Sequence, residues 1–266
     1  MFRALRLLRV SFVLSSYFIL LAPIGYAGFA IWAMIPMRDA RWKARKLQWV
    51  MSTAFGTMHK ILRWMRILHF DPREVDGEFP TEPCVLVANH PTLVDISSLL
   101  ATQSNLVFPV KSSMFRTFWA RPLLEAADHF EASASDPFSV GKVVDKGVER
   151  LQQGYRVLIF PEGTRSPLGD LHPFGRTAFE IAVRQNVPIV PVVITCKPHW
   201  LSRERSFFNP PSEVPRLRIR VLDPIFPEAE GSSSRALRDT VSERIKTAIT
   251  EFSQNDTNKG ADDRIT

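Results

Sequence analysis

The sequence predicts an α/β fold: a single domain on a mixed, mostly parallel sheet flanked by helices, plus an N-terminal helical membrane-associated element. Three observations predict it. From residue 84 onward, short apolar runs of strand length alternate with segments of helical period. Near the C-terminus, RLRIRVLDPI (216–225) alternates apolar and basic residues, as an edge strand with one wet face does. The first 70 residues hold a long uncharged stretch between basic clusters.

That stretch comes first in the chain. Residues 10–37 contain no charge, and a straight helix of this length rises about 42 Å, more than the roughly 30 Å hydrocarbon core of a bilayer. Pro23 and Gly25 interrupt it near its middle, leaving halves too short to span alone. Basic clusters at both ends favour a re-entrant hairpin with both ends on the cytoplasmic face; a kinked single span is the alternative. A cleaved signal peptide fits poorly, because no A-x-A-like site closes the run. The net charge of +7 belongs to this region: residues 1–50 carry eight basic groups and one acid, and the remaining 216 carry 26 of each sign. Basicity interleaved with apolar length points to an anionic membrane surface, not to nucleic acid.

Residues 47–69 follow as an amphipathic helix. Leu47, Met51, Phe55, Met58, Leu62, Met65 and His69 trace one face, with Lys60, Arg63 and Arg66 off it and Trp49 and Trp64 at headgroup level. The stripe suits either an interfacial helix or one packed on the domain that follows. After a turn-rich linker come strands at 84–89 and 106–111, and a third around 128–133. A helix at 139–154 ends on Gly154, a strand covers 155–160, a helix 177–185 and a strand 187–195. The edge strand and a terminal helix (234–252) complete the domain, and residues 253–266 form a polar tail expected to be disordered. The chain thus divides into an anchor (1–70), a catalytic α/β domain (71–252) and a tail (253–266).

Cys84 and Cys196 stand far apart without a C-x-x-C pattern, which fits a reducing compartment and argues against a disulfide framework or structural zinc. The histidines show no i, i+4 pairing for a metal, Ser97 and Ser98 lack a G-x-S-x-G context, and no G-x-x-x-x-G-K-[ST] phosphate loop is present.

Two stretches carry the chemistry. In NHPTLVD (89–95), His90 follows a buried strand, at the carboxyl end where open α/β sheets bind ligands. A helix starting at Pro91 brings Asp95 about one turn on, where its carboxylate reaches the imidazole and holds it as a general base. The plainer reading makes His90 a turn residue and Asp95 a first-turn acid favoured by the helix dipole. In FPEGTRSPLG (160–169), a second strand runs into an acid, a glycine that permits close backbone approach, a hydroxyl and an arginine whose fork suits a phosphate or carboxylate.

Together the two stretches resemble the glycerolipid acyltransferase superfamily, which includes the bacterial 1-acylglycerol-3-phosphate acyltransferases and is marked by N-H-x-x-x-x-D and F-P-E-G-T-R-S blocks. KSSMF (111–115) is similar to its lysine-led second block, and VPIVPVVI (187–194) to its proline-centred fourth. The resemblance covers about residues 75–225. It implies that His90 deprotonates an acceptor hydroxyl, which attacks the thioester of acyl-CoA or acyl-carrier protein, while Asp95 supports the ring. It implies substrate-binding roles for Lys111, Glu162, Gly163, Thr164, Arg165 (on any phosphate) and Arg176, with Pro191 shaping the acyl-chain side. No metal and no cofactor beyond the thioester co-substrate is expected. The expected setting is the cytoplasmic face of a membrane, the inner one in a bacterium, with a lysophospholipid as acceptor. Three departures widen the acceptor choice: DHFEASASD lacks the arginine of the second block, FGRT replaces F-K-K-G, and Pro91-Thr92 replaces the common Q-S. A glycolipid, an amino-acid lipid or a polyene lipid competes as acceptor, water makes the protein a thioester hydrolase, and a silent membrane module is the remaining alternative.

Overall fold

Val85–Ala88 (β1) is apolar on both sides, and its residues alternate between two cores. Leu86 and Ala88 face one layer of helices, Val85 and Val87 the other. A strand buried this way belongs at the centre of a sheet, and β1 pairs in parallel with Arg156–Ile159 (β5) on one side and Ile189–Lys197 (β6) on the other. Leu106–Val107 (β2) extends the parallel set beyond β5. Arg216–Val221 (β7) closes the opposite edge antiparallel to β6, giving the order β2-β5-β1-β6-β7. The computed structural model describes residues 39–262 except 119, 133–138, 206–208 and 232, together with Leu8, Val10, Gly28, Ile31 and Trp32.

One face of the sheet carries the helices Ala40–Trp64 (α1) and Asp95–Thr102 (α2), which pack along each other. The other carries Ser139–Gln152 (α5), Thr177–Gln185 (α6) and Ser234–Asp262 (α7). Between them in sequence lie Pro109–Lys111 (β3), Ser112–Phe115 (α3), Arg121–Ala126 (α4) and Phe130–Ala132 (β4); β3 and β4 form a separate parallel pair. The expected strand 106–111 is therefore two strands. They part at Phe108, whose ring lies against the buried His129 imidazole at a centroid distance of 4.0 Å.

Other expectations shift. The apolar stripe of 47–69 lies against the domain: Leu47, Met51 and Leu62 are buried, with Phe55, Met58 and Met65 packed around them. Trp42, Trp49, Ile61 and Trp64 are exposed on the same helix. The helix ends at Trp64, and Arg66 takes a positive φ of 53°. His69 consequently lies outside it, bridging to Arg216 at the start of β7. The apolar stretch 10–37 lies almost wholly outside the described residues, among which no helix is long and apolar enough to cross a membrane. At the other end α7 continues to Asp262, into the segment expected as a tail, because extending an existing helix avoids the cost of nucleation.

A glycine fixes the linker against the edge strand. Asp76 exchanges backbone bonds with Ile219 and Val221 (3.0 and 2.7 Å) and accepts from Arg220 (2.6 Å). The next residue, Gly77, has φ +89°, and a Cβ there would sit 2.5 Å from the Val221 carbonyl oxygen. Gly77→Ala is expected to destabilise the fold by about 1–3 kcal/mol, read as a lowered Tm, since both the backbone angle and the contact oppose a side chain.

Two buried imidazoles make the fold acid-sensitive. Burial lowers His59 to about 4 and His129 to about 3. Unfolding restores ordinary values near 6.5, so the unfolded chain binds more protons below that pH. Stability is fully present above about pH 6.5 and falls as pH drops toward 4, these two groups contributing up to about 2–3 kcal/mol per pH unit near pH 5. Tm measured across this window is expected to fall more shallowly in the His59→Gln/His129→Gln variant.

Candidate active site

The site begins where β1 ends. Asn89, the first residue past the strand, is buried and continues the sheet with its side chain: Nδ2 donates to the Ile194 carbonyl (2.9 Å) and Oδ1 accepts from the Ile194 amide (2.7 Å). This clamp fixes where the chain leaves β1. His90 then stands at the carboxyl end of the sheet, its ring stacked on Phe160 at the end of β5 with centroids 4.5 Å apart.

His90 Nδ1 lies 2.7 Å from Asp95 Oδ2. The Asp95 carboxylate is fully buried and also accepts from Thr92: the amide reaches Oδ2 at 2.7 Å and the hydroxyl reaches Oδ1 at 2.5 Å. Burial pushes the Asp95 carboxyl above the ordinary carboxylate range, and the bonds from His90 and Thr92 offset part of that push. An ionised carboxylate only accepts, so in the ionised pair Nδ1 is the donor, and the neutral ring of that tautomer has its lone pair on Nε2. The helix does not start at Pro91 as expected. It starts at Asp95, because the bonds from Thr92 to the Asp95 carboxylate hold residues 92–94 in a turn. The dyad forms across that turn.

Glu162 grips the same loop from the other side. Its Oε1 accepts from the His90 amide (3.2 Å) and the Ser166 hydroxyl (2.5 Å), and Oε2 accepts from the His172 amide (2.8 Å). The Ser166 amide donates to the His90 carbonyl at 2.8 Å, and the His90 amide also reaches the Ser166 hydroxyl at 3.0 Å. Both oxygens of Glu162 thus face donors of the protein itself.

His90 lines a cleft of about 520 Å³, and its side chain is 18% exposed there. Lys111 and Gly163 line the same cleft, so of the residues singled out from the sequence these two share it with His90. Glu162 and Thr164 neighbour Gly163 without lining it, and Arg176 lies between the lining residues Gly175 and Thr177. Arg165 Nη1 donates to the carbonyls of Leu201 (3.0 Å) and Ser202 (2.8 Å), tying the 160–170 loop to the chain after β6. Pro191 does not reach the cleft: it is buried inside β6, in register with Val87 of β1. The apolar wall is made instead by Phe108, Val143, Leu158, Ile159 and Ala178. Sequence reasoning missed this wall, Asn89, Thr92 and Ser166. An amide directly after an apolar strand and a hydroxyl four places after an acid were the available signals.

A family model described as Acyltransferase matches residues 73–195. The mouse 1-acyl-sn-glycerol-3-phosphate acyltransferase alpha is 30% identical over 65% of this chain and 61% of its own length. The Saccharomyces cerevisiae 1-acyl-sn-glycerol-3-phosphate acyltransferase is 26% identical over 90% of this chain and 78% of its length. The chain spans less than two thirds of the mouse relative and a third of the chloroplastic BAT2 enzyme of Brassica napus, to which it is 35% identical over 42% of this chain. The crystal structure of the 1-acyl-sn-glycerophosphate (LPA) acyltransferase PlsC from Thermotoga maritima shares the fold. It has a TM-score of 0.66 at 24% identity, covering 94% of this chain and 96% of that one. The span that the Acyltransferase model matches contains both loops that build the dyad, and over it the chain is similar to the glycerolipid acyltransferases.

Proposed function

We propose that the protein is a membrane-associated O-acyltransferase that moves a fatty acyl group from acyl-CoA or acyl-carrier protein to the hydroxyl of a lysophospholipid, 1-acyl-sn-glycerol 3-phosphate in the first instance. The carrying observation is that His90, bonded to the buried Asp95, lines a cleft with a largely apolar wall. Nε2 of His90 takes the acceptor's hydroxyl proton as the oxygen attacks the thioester carbonyl. A C–O bond forms, the C–S bond breaks, and the proton on His90 leaves with the thiolate. Asp95 stabilises the imidazolium between these steps. The apolar wall takes the acyl chain, in the role the resemblance assigned to Pro191. Lys111 and the N-terminus of α6, which has no side-chain cap, supply positive charge for a phosphate. Arg165 is not among the residues lining the cleft; it positions the loop through the Leu201 and Ser202 carbonyls. The working site is the cytoplasmic face of a membrane.

A second reading, a less anionic acceptor such as a glycolipid or amino-acid lipid, is favoured by one observation: among the described residues lining the cleft, Lys111 is the one Lys or Arg. Kinetics of Lys111→Ala separate the two. A phosphate acceptor predicts KM for the lysophosphatidate raised about tenfold with kcat little changed, the value of one charge-assisted contact. An unchanged KM supports the less anionic acceptor.

A further inference from the structure

The segment between β3 and α4 has no role in the dyad, yet it exposes two large apolar side chains: Phe118 is 89% exposed and Met114 54%. Single exposed apolar residues are ordinary on a surface. These two flank the exposed Arg116 and precede the exposed Arg121, and the segment springs directly from Lys111 on the cleft wall. Between residues 109 and 127 stand three cations and one acid, Glu125. Arg116 and Arg121 each pair with a surface carboxylate, Glu131 and Glu125, at 2.8 Å. The segment's far end is joined to α1: Gln48 Nε2 donates to the Ala127 carbonyl at 2.8 Å, and α4 packs on α1. The exposed tryptophans of α1, the Phe118 segment and the cleft therefore belong to successive, physically connected elements.

We infer that residues 112–118 and Arg121 form a second lipid-contacting element, distinct from the N-terminal region, which seats the His90 cleft on an anionic bilayer. Phe118 and Met114 enter the acyl boundary, and Arg116, Arg121 and Lys111 meet lipid phosphates. A lipid acceptor then passes from the bilayer to the cleft beside Lys111. Basic residues beside large apolar ones suit an anionic lipid surface, whose headgroups attract the cations while its acyl chains take the rings.

The inference rests on the proposed use of a bilayer-resident acceptor, and its main test reads contact without turnover. Cys84 and Cys196 are both buried, so a polarity-sensitive fluorophore on Phe118→Cys of the full chain reports from one position. On phosphatidylglycerol/phosphatidylcholine vesicles its emission is expected to shift to the blue and to be quenched by brominated acyl chains. A label on Gln152→Cys, about 18 Å along α5 from the cleft-lining Val140, is expected to stay in water. Water-like emission at position 118 on vesicles that carry the protein overturns the inference, whatever the enzyme acylates. Phe118→Asp is expected to lower turnover of a vesicle-embedded acceptor about tenfold, the loss of one buried aromatic ring, and to leave a short-chain acceptor dissolved in water unaffected. Equal turnover with both acceptors, or equal loss with both, also overturns it.

Discussion

His90→Ala lowers kcat for acyl transfer by about 10³-fold or more, with an unfolding temperature close to that of the parent chain. General-base catalysis by a positioned imidazole accounts for roughly 10²–10⁴ in rate, and a lipid hydroxyl is a poor nucleophile without it. The side chain is partly exposed in the cleft, so its loss opens no buried cavity, and its backbone bonds to Glu162 and Ser166 survive the substitution. Membrane association should be unaltered, because no element proposed to contact lipid uses the ring. Steady-state turnover with lysophosphatidate vesicles, beside a circular-dichroism melt, checks both halves. Full activity in this variant rejects the assignment of His90 as base.

Asp95→Asn produces a loss on the order of 10²–10⁴ for a different reason. Three donors converge on Asp95: Nδ1–H of His90 and the amide and hydroxyl of Thr92. An asparagine has one acceptor oxygen and two donor hydrogens. If that oxygen serves Thr92, the amide nitrogen faces His90 and donates to Nδ1. The imidazole then keeps its proton on Nε2, the wrong tautomer to accept one from a hydroxyl. Binding of the acceptor is little affected, so the loss should sit in kcat and not in KM. The substitution also removes a buried charge that burial disfavours, so folding stability should not account for the effect. A loss confined to KM contradicts the tautomer argument.

The sheet was largely legible in the sequence because its strands are buried on both faces. Runs such as VLVA and IVPVVI have no polar residue with which to form a surface, whatever their neighbours. The nearness of His90 and Asp95 was legible too, since five residues span one turn, although the turn is built by Thr92 and not by a helix from Pro91. The parts that were not legible depend on contacts distant in sequence. Phe108 parts two strands because of His129, some twenty places away. The stripe of α1 fits lipid and protein equally well by periodicity, and α2 decides between them. Glu162 reads as a ligand-binding acid until its partners at residues 90, 166 and 172 are seen to occupy it. Pro191 gives no hint in its own neighbourhood that β1 lies across it.

Acyl transfer to a lipid hydroxyl is tested most directly by following both products of one reaction. Full-length protein receives a radiolabelled acyl thioester, with and without lysophosphatidate in vesicles, and released thiol and newly esterified lipid are counted together. The expected result is one ester formed for each thiol released, with thiol release dependent on acceptor and absent in His90→Ala. Thiol release that proceeds at the same rate without acceptor, yielding free fatty acid, contradicts the account and makes the protein a thioester hydrolase.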